Sequence, residues 1–240
     1  MTAPGGKPPA DAEPDLAAMA GVRPGHLVLD LASGRGRASA AMVAAGARVV
    51  LLDRDQESLR GLDPDLRARV LLAAAGDGAA LPFPAALFDA VVLRAAVHHI
   101  PEPVAVLREA ARVAKPGGAV LLVDKAAPED VEARALRNAV ERLRHSGHVW
   151  SYSERELRNL GGAARLEAEA GVPWIEVKDA SEWIAGGTCV PPWDGLVREY
   201  LEADRAAGGK AFGGRAGPDG ALLIEDRWTA VLLRKPGGRP

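Results

Sequence analysis

The stretch VLDLASGRG, Val28 to Gly36, decides the fold. A short apolar run, HLVLDLA, carries a single acid at Asp30 and passes directly into glycines. The Ala-rich, helix-prone segment RASAAMVAAG follows, and Gly46 suits its C-terminal cap. Strand, glycine turn and helix in this order make a backbone cradle. Gly34 and Gly36 let the main chain approach a ligand with no Cβ in the way. The start of the helix offers unpaired N–H groups beside them.

The same unit repeats outward from this loop. ARVVLLD reads as a second strand, ending at Asp53, and QESLRGL as a helical segment. ARVLLAAAGD is a third strand, ending near Asp77, and FDAVVLR a fourth. From Val104 to Ala114 the apolar residues Val106, Leu107, Ala110, Ala111 and Val113 fall near one helical face, and Pro116-Gly117-Gly118 stops the helix. GAVLLVD is a fifth strand, ending at Asp124. Strands with few charges, alternating with helices, predict an α/β fold: a doubly wound, mostly parallel sheet covered on both faces. Crossovers are then right-handed, and ligands bind beyond the carboxyl ends of the strands.

After Asp124 the alternation weakens. Helices are expected at Glu129 to Leu143, at Glu154 to Leu160 behind a Ser153/Glu156 capping box, and at Trp193 to Ala206. Arg165 to Val177 reads as extended, and ALLIEDRWTAVLLR as one or two closing strands. The Arg-rich ARALRNAVERLR is expected to be a solvated helix face. Residues 1 to 14, rich in Pro, Gly and Ala, are expected to form a flexible tail, followed by a short helix from Asp15 to about Ala20.

Composition narrows the function. The 240 residues carry 30 Lys and Arg against 32 Asp and Glu, a net charge of −2, so no basic field favours nucleic acid or an anionic membrane. No apolar run approaches the length of a membrane span. The N-terminal residues lack the apolar segment of a signal peptide, and the one cysteine, Cys189, can form no internal disulfide. A reducing, cytoplasmic compartment is the expectation, with no metal site.

The strand-end acids carry the ligand reading. A dinucleotide loop reads G-x-G-x-x-G, and here the third glycine position is Ser39. Asp30 just before the loop repels a pyrophosphate but suits a ligand bearing an ammonium and a sulfonium, the two cations of S-adenosylmethionine. Asp53, at the end of the second strand, can accept both ribose hydroxyls. Asp77 can accept from an adenine amino group, with the Gly78 backbone bordering the ring. Acids at strand ends also cap helices, and that reading stands beside this one.

VLDLASGRG, LLDRD and GDGAALPFPAALFDAVVLRAAVHHIPEPVAVLREAARVAKPGGAVLLVD together resemble class I S-adenosylmethionine-dependent methyltransferases, in particular the ubiquinone/menaquinone-biosynthesis type, over about residues 20 to 125. The resemblance implies a Rossmann-like seven-stranded sheet whose last strand, in RWTAVLLRKP, is antiparallel. It implies one methyltransferase domain over 15–240. Residues 15–125 would bind the cofactor, 126–225 would recognise substrate, and 226–236 would be the last strand. By position, Asp30, Ala32, Ser33, Gly34 and Gly36 would form the methionine-side loop. Asp53 would hold the ribose, Arg54, Asp77 and Gly78 would flank the adenine, and Arg94 would lie near the methionine moiety. S-adenosylmethionine would be the cofactor and S-adenosylhomocysteine its product. Arg35 departs from the family loop, which commonly has Thr, Ser or Cys there.

The implied reaction is methyl transfer to an O, N or C nucleophile of a small-molecule acceptor. A non-methylating enzyme such as a cyclase on the same fold, and an NAD(P)-dependent oxidoreductase, are the alternatives. His98 and His99 follow the fourth strand at the active edge, and His99 can serve as base or as a substrate wall. His148 and Tyr152, in HSGHVWSYSERE, are further candidates for substrate contact or base. Trp174, Trp183, Trp193 and Trp228 can wall an aromatic pocket or build core. Monomer and homodimer both remain open.

Overall fold

The computed structural model describes residues 12–217 and 220–237, so the first 11 residues of the expected tail lie outside the described ones. Seven main strands follow the order β3-β2-β1-β4-β5-β8-β6. They are β1 (Leu27–Leu31), β2 (Arg48–Asp53), β3 (Leu72–Ala75), β4 (Phe88–Arg94), β5 (Ala114–Lys125), β6 (Glu167–Asp179) and β8 (Leu222–Arg234), while the two-residue β7 (Arg215–Ala216) pairs with the start of β8. The first five strands are mutually parallel, and β8 runs antiparallel between β5 and β6. This is the Rossmann-like α/β sheet with an antiparallel last strand. Chain order reverses between β1 and β4, which makes their carboxyl ends the topological switch point.

The central strands bury both faces, as their unbroken apolar runs require. Alternate residues of β1 show the division: Leu29 and Leu31 belong to the core beneath α5 (Pro103–Val113) and α7 (Glu154–Ala163), Val28 to the core beneath α1 (Leu16–Met19) and α2 (Arg37–Ala44). Gly46 terminates α2 with φ 83°, and the Ala47 N–H reaches back to the Met42 carbonyl at 3.1 Å. Ser153 and Glu156 form the capping box of α7. Between α3 (Gln56–Arg60) and β3 lies α4 (Pro64–Arg69), which the sequence pattern does not announce. It buries no residue and so shows no apolar stripe; its signals are the Asp63 cap and Pro64 in its first turn.

The expected solvated face of α6 (Val131–Arg144) is corrected by the structure. Arg134, Arg137, Asn138, Glu141 and Arg144 are buried, while Val131 is 70% exposed. Their spacing of three and four places them on one side of the helix. Arg137 meets Asp226 at 3.1 Å, Glu141 takes Lys125 at 2.9 Å and Arg144 at 3.1 Å, and Arg144 lies 4.1 Å over the Trp183 ring. The partners sit on β5, β8 and α8 (Ala180–Ala185), far away in sequence. With α9 (Trp193–Ala206), these elements enclose a third apolar cluster around the first half of β8. Among the described residues no helix is long and apolar enough to cross a membrane.

Candidate active site

The glycine turn is tied to the end of β2. Ala32 and Ser33 N–H groups donate to the Leu52 carbonyl at 2.8 and 3.3 Å. The Gly34 N–H donates to Asp53 Oδ2 at 2.7 Å, and the Asp55 N–H to Asp53 Oδ1 at 2.8 Å. Ala32, Gly34 and Gly36 all have positive φ, at 56°, 53° and 76°. Across the switch point Ala95, just after β4, is also left-handed at φ 52°. Two alanines in a region they rarely visit mark both loops as held by their surroundings.

The two glycines serve different ends. A Cβ on Gly34 would meet nothing within 4 Å, and Gly34 borders a cavity of about 850 Å³. A Cβ on Gly36 would lie 2.7 Å from the Leu66 side chain and 2.9 Å from that of Leu62, so Gly36 is required for packing α2 under α4. Asp30 also stands behind the loop. Its Oδ2 accepts the Ser39 N–H at 2.9 Å and the Ser39 hydroxyl at 2.6 Å, fastening the first turn of α2. Its Oδ1 is buried without a partner, and burial pushes the carboxyl up to about 6. For Asp30 the helix-fastening reading therefore describes the geometry, and Asp30 does not border the cavity.

Ala32, Ser33, Asp53, Arg54, Asp77 and Arg94 do border it. Leu31, Gly78, Val106 and Ile100 supply apolar lining, the first three close together. Gly78 is close-packed: an added Cβ would stand 3.2 Å from Val106. Arg35, the cation out of place in the family loop, lays its Nε over Gly61, the residue that caps the C-terminal end of α3. Arg35 also borders the cavity.

His99, His145 and Gly147 also border the cavity. His99 Nδ1 is 2.7 Å from the Gly147 carbonyl, so it carries the proton and leaves Nε2 with a lone pair. Burial, then the neighbouring His98, lowers the ring to about 4, so it is neutral at physiological pH. His98 Nδ1 bonds the buried Asp124 carboxylate. Asp124 also accepts the Lys125 N–H at 2.7 Å; burial opposes its charge, but His98 and these donors hold it below the usual carboxylate range. The His98 carbonyl accepts the Val149 and Trp150 N–H groups at 2.9 and 3.2 Å, which pins the 147–150 segment over the site.

His148 and Tyr152 are not brought to the cavity. His148 is buried, with Nε2 donating to Asn138 Oδ1 at 2.9 Å; the Asn138 amide nitrogen is committed to the Arg134 and Ser151 carbonyls, which fixes this orientation. Tyr152 is half-buried against the core under α5 and α7. Trp174, Trp183 and Trp228 are buried and Trp193 is 50% exposed; none of the four borders this cavity, while Trp174 and Trp228 line a separate one of about 650 Å³. His145 and Gly147, at the start of HSGHVWSYSERE, and Arg37, in the first turn of α2, are further cavity residues. Among the described residues no group of three or more His, Cys, Asp or Glu could hold a metal ion.

Residues 29–122 match the family described as "Methyltransferase domain". The chain is 31% identical over 167 residues to the uncharacterized methyltransferase YcgJ of Bacillus subtilis, covering 68% of this chain and 66% of that one. It is 34% identical over 177 residues to a demethylmenaquinone methyltransferase of Mycobacterium sp. (strain KMS), covering 68% of this chain and 74% of the relative. The crystal structure of YcgJ superposes with a TM-score of 0.81 at 25% identity, over 93% of this chain and 97% of that one. A match of this extent, on a seven-stranded sheet with an antiparallel last strand and a glycine turn tied to Asp53, places the chain in the class I S-adenosylmethionine-dependent methyltransferase family.

Proposed function

We propose that this protein binds S-adenosylmethionine in the 850 Å³ cavity and catalyses transfer of its methyl group to a protonated nucleophile of a small molecule. The residues present fit that cofactor. Each Asp53 oxygen accepts one backbone N–H and keeps lone-pair capacity for a ribose hydroxyl. Leu31, Gly78, Val106 and Ile100 offer an apolar slot for the adenine, with the Asp77 carboxylate exposed at its rim. The N–H groups of Ala32, Ser33, Gly34 and Gly36 are already bonded within the protein, so the turn is poorly equipped to cradle a pyrophosphate. That argues against the dinucleotide alternative.

The cofactor supplies an electrophilic methyl on a positively charged sulfur. The chain supplies position and a proton acceptor. His99 Nε2 has no partner among the described residues and can take the proton of an incoming hydroxyl, ammonium or acidic C–H. The Gly147 carbonyl holds the tautomer that makes this possible. The observation that carries the reading is that Asp53 and His99, whose Nε2 carries no proton, line one and the same cavity. Incubation with methyl-labelled S-adenosylmethionine and a panel of phenols, amines and enolisable carbonyl compounds tests it. The expected result is label in an acceptor with S-adenosylhomocysteine released in equal amount. Substrate turnover with the labelled cofactor left intact would contradict it and support the cyclase-like alternative.

A further inference from the structure

Arg94 closes β4 and borders the cavity, yet its guanidinium already has a carboxylate. Its Nε donates to Glu13 Oε1 at 2.6 Å and its Nη2 to Glu13 Oε2 at 3.1 Å, a bidentate pair. Arg37, at the start of α2 and also at the cavity, brings Nη2 to 3.5 Å from Glu13 Oε2. The Arg94 side chain is only 8% exposed and its guanidinium lies 5.3 Å from the centroid of the Trp228 ring. A fork so buried is costly to leave unpaired. Two cations at the edge of the cavity thus converge on one carboxylate, and that carboxylate comes from the segment preceding α1. Pro14, Leu16 and Ala17 are buried, but Glu13 lies outside the helix, before the Asp15 cap. Its carboxylate can move without unwinding α1.

We propose that Glu13 occupies, in the ligand-free protein, the subsite for the amino-acid carboxylate of the cofactor, so that the cofactor binds by exchanging its carboxylate for that of Glu13 on Arg94 and Arg37. The inference rests on the cofactor assignment above. It makes Glu13 an internal competitor that lowers affinity for ligands carrying an α-carboxylate and has no effect on ligands lacking one. The exchange keeps the buried guanidinium paired throughout, and it couples the N-terminal segment to occupancy of the cavity.

Calorimetric titration of the full chain with S-adenosylhomocysteine and with 5′-methylthioadenosine tests this, since the second ligand keeps the nucleoside and thioether but lacks the amino-acid group. Glu13→Gln and Glu13→Ala should each tighten S-adenosylhomocysteine binding about threefold to tenfold, up to about 1.4 kcal/mol, and leave methylthioadenosine binding unchanged. In an Arg94→Met background the Glu13 substitutions should lose this effect. Unchanged or weaker S-adenosylhomocysteine binding in both Glu13 variants would overturn the exchange, as would an equal gain for methylthioadenosine. Methylthioadenosine binding with Glu13-insensitive S-adenosylhomocysteine would overturn the exchange alone; failure of both ligands to bind the parent chain would overturn the cofactor assignment with it.

Discussion

The Gly34 N–H donates to Asp53 Oδ2 at 2.7 Å, joining the turn after β1 to the acid that ends β2. The acid proposed to hold the ribose also shapes the loop beside it. Asp53→Ala should therefore weaken S-adenosylhomocysteine binding by about 1–3 kcal/mol, through lost ribose hydrogen bonds and a loosened turn. Titration calorimetry reads this directly, and unchanged affinity would remove Asp53 from the site.

Gly36 and Gly34 should separate stability from binding. Gly36→Val drives a branched side chain into Leu62 and Leu66 at a left-handed φ, and should lower stability by about 2–4 kcal/mol in urea unfolding. Gly34→Val meets open space, so its stability loss is limited to about 1–2 kcal/mol of backbone strain, while its side chain obstructs the cavity and weakens ligand binding. Equal stability losses in the two variants would contradict this division.

The buried polar face of α6 should be costly to interrupt. Burial opposes charge on Glu141, but Lys125, Arg137 and Arg144 hold its carboxyl far below the usual range. Glu141→Ala leaves Lys125 and Arg144 buried without this partner and should destabilise the fold by about 3–5 kcal/mol. A loss under about 1 kcal/mol would show that the network is solvated.

His148 is lowered by burial from 6.5 to about 4, as is His99. In that window the unfolded chain binds protons that the folded chain does not, so these rings make stability fall as pH drops from about 6.5 to about 4. Asp30, raised from 3.8 to about 6, acts in the opposite sense and loses stability as pH rises through that range. His148→Gln removes one of the acid-labile groups and leaves Asp30 in place. The stability difference between parent and variant should shrink between pH 7 and pH 5 in urea unfolding; a constant difference would place the His148 ring in water. For catalysis, the acid limb of kcat/KM should lie near pH 4 if His99 is the base, and an acid limb unchanged in His99→Gln would exclude that role.

The first half of the fold was legible because its strands are buried on both faces and so are written as apolar runs, each punctuated by a loop with its own chemistry. HLVLDLASGRG shows strand, turn and helix without help from distant residues. The lining of the cavity was legible where backbone and carboxylate share a motif, as at Ser33, Gly34, Asp53 and Asp77. It was illegible where long-range pairing decides. The Arg-rich face of α6 looks solvated until Lys125 and Asp226 come beneath it, and α4 lacks the apolar stripe that would reveal it. Asp30 reads as a ligand group until Ser39 is seen to take its oxygen. His148 falls in a conspicuous cluster but is drawn inward by Asn138. Glu13 sits in a Pro- and Ala-rich segment that carries no sign of its pairing with Arg94.

The most direct test of the central claim is thermal unfolding of the chain with S-adenosylmethionine, with S-adenosylhomocysteine and with NADH. A ligand at about 100 times its dissociation constant should add roughly 2.7 kcal/mol and raise Tm visibly. The account expects a rise with both sulfur nucleosides and none with NADH. No rise with either sulfur nucleoside, or a rise with NADH alone, would contradict the assignment of the cavity and the mechanism built on it.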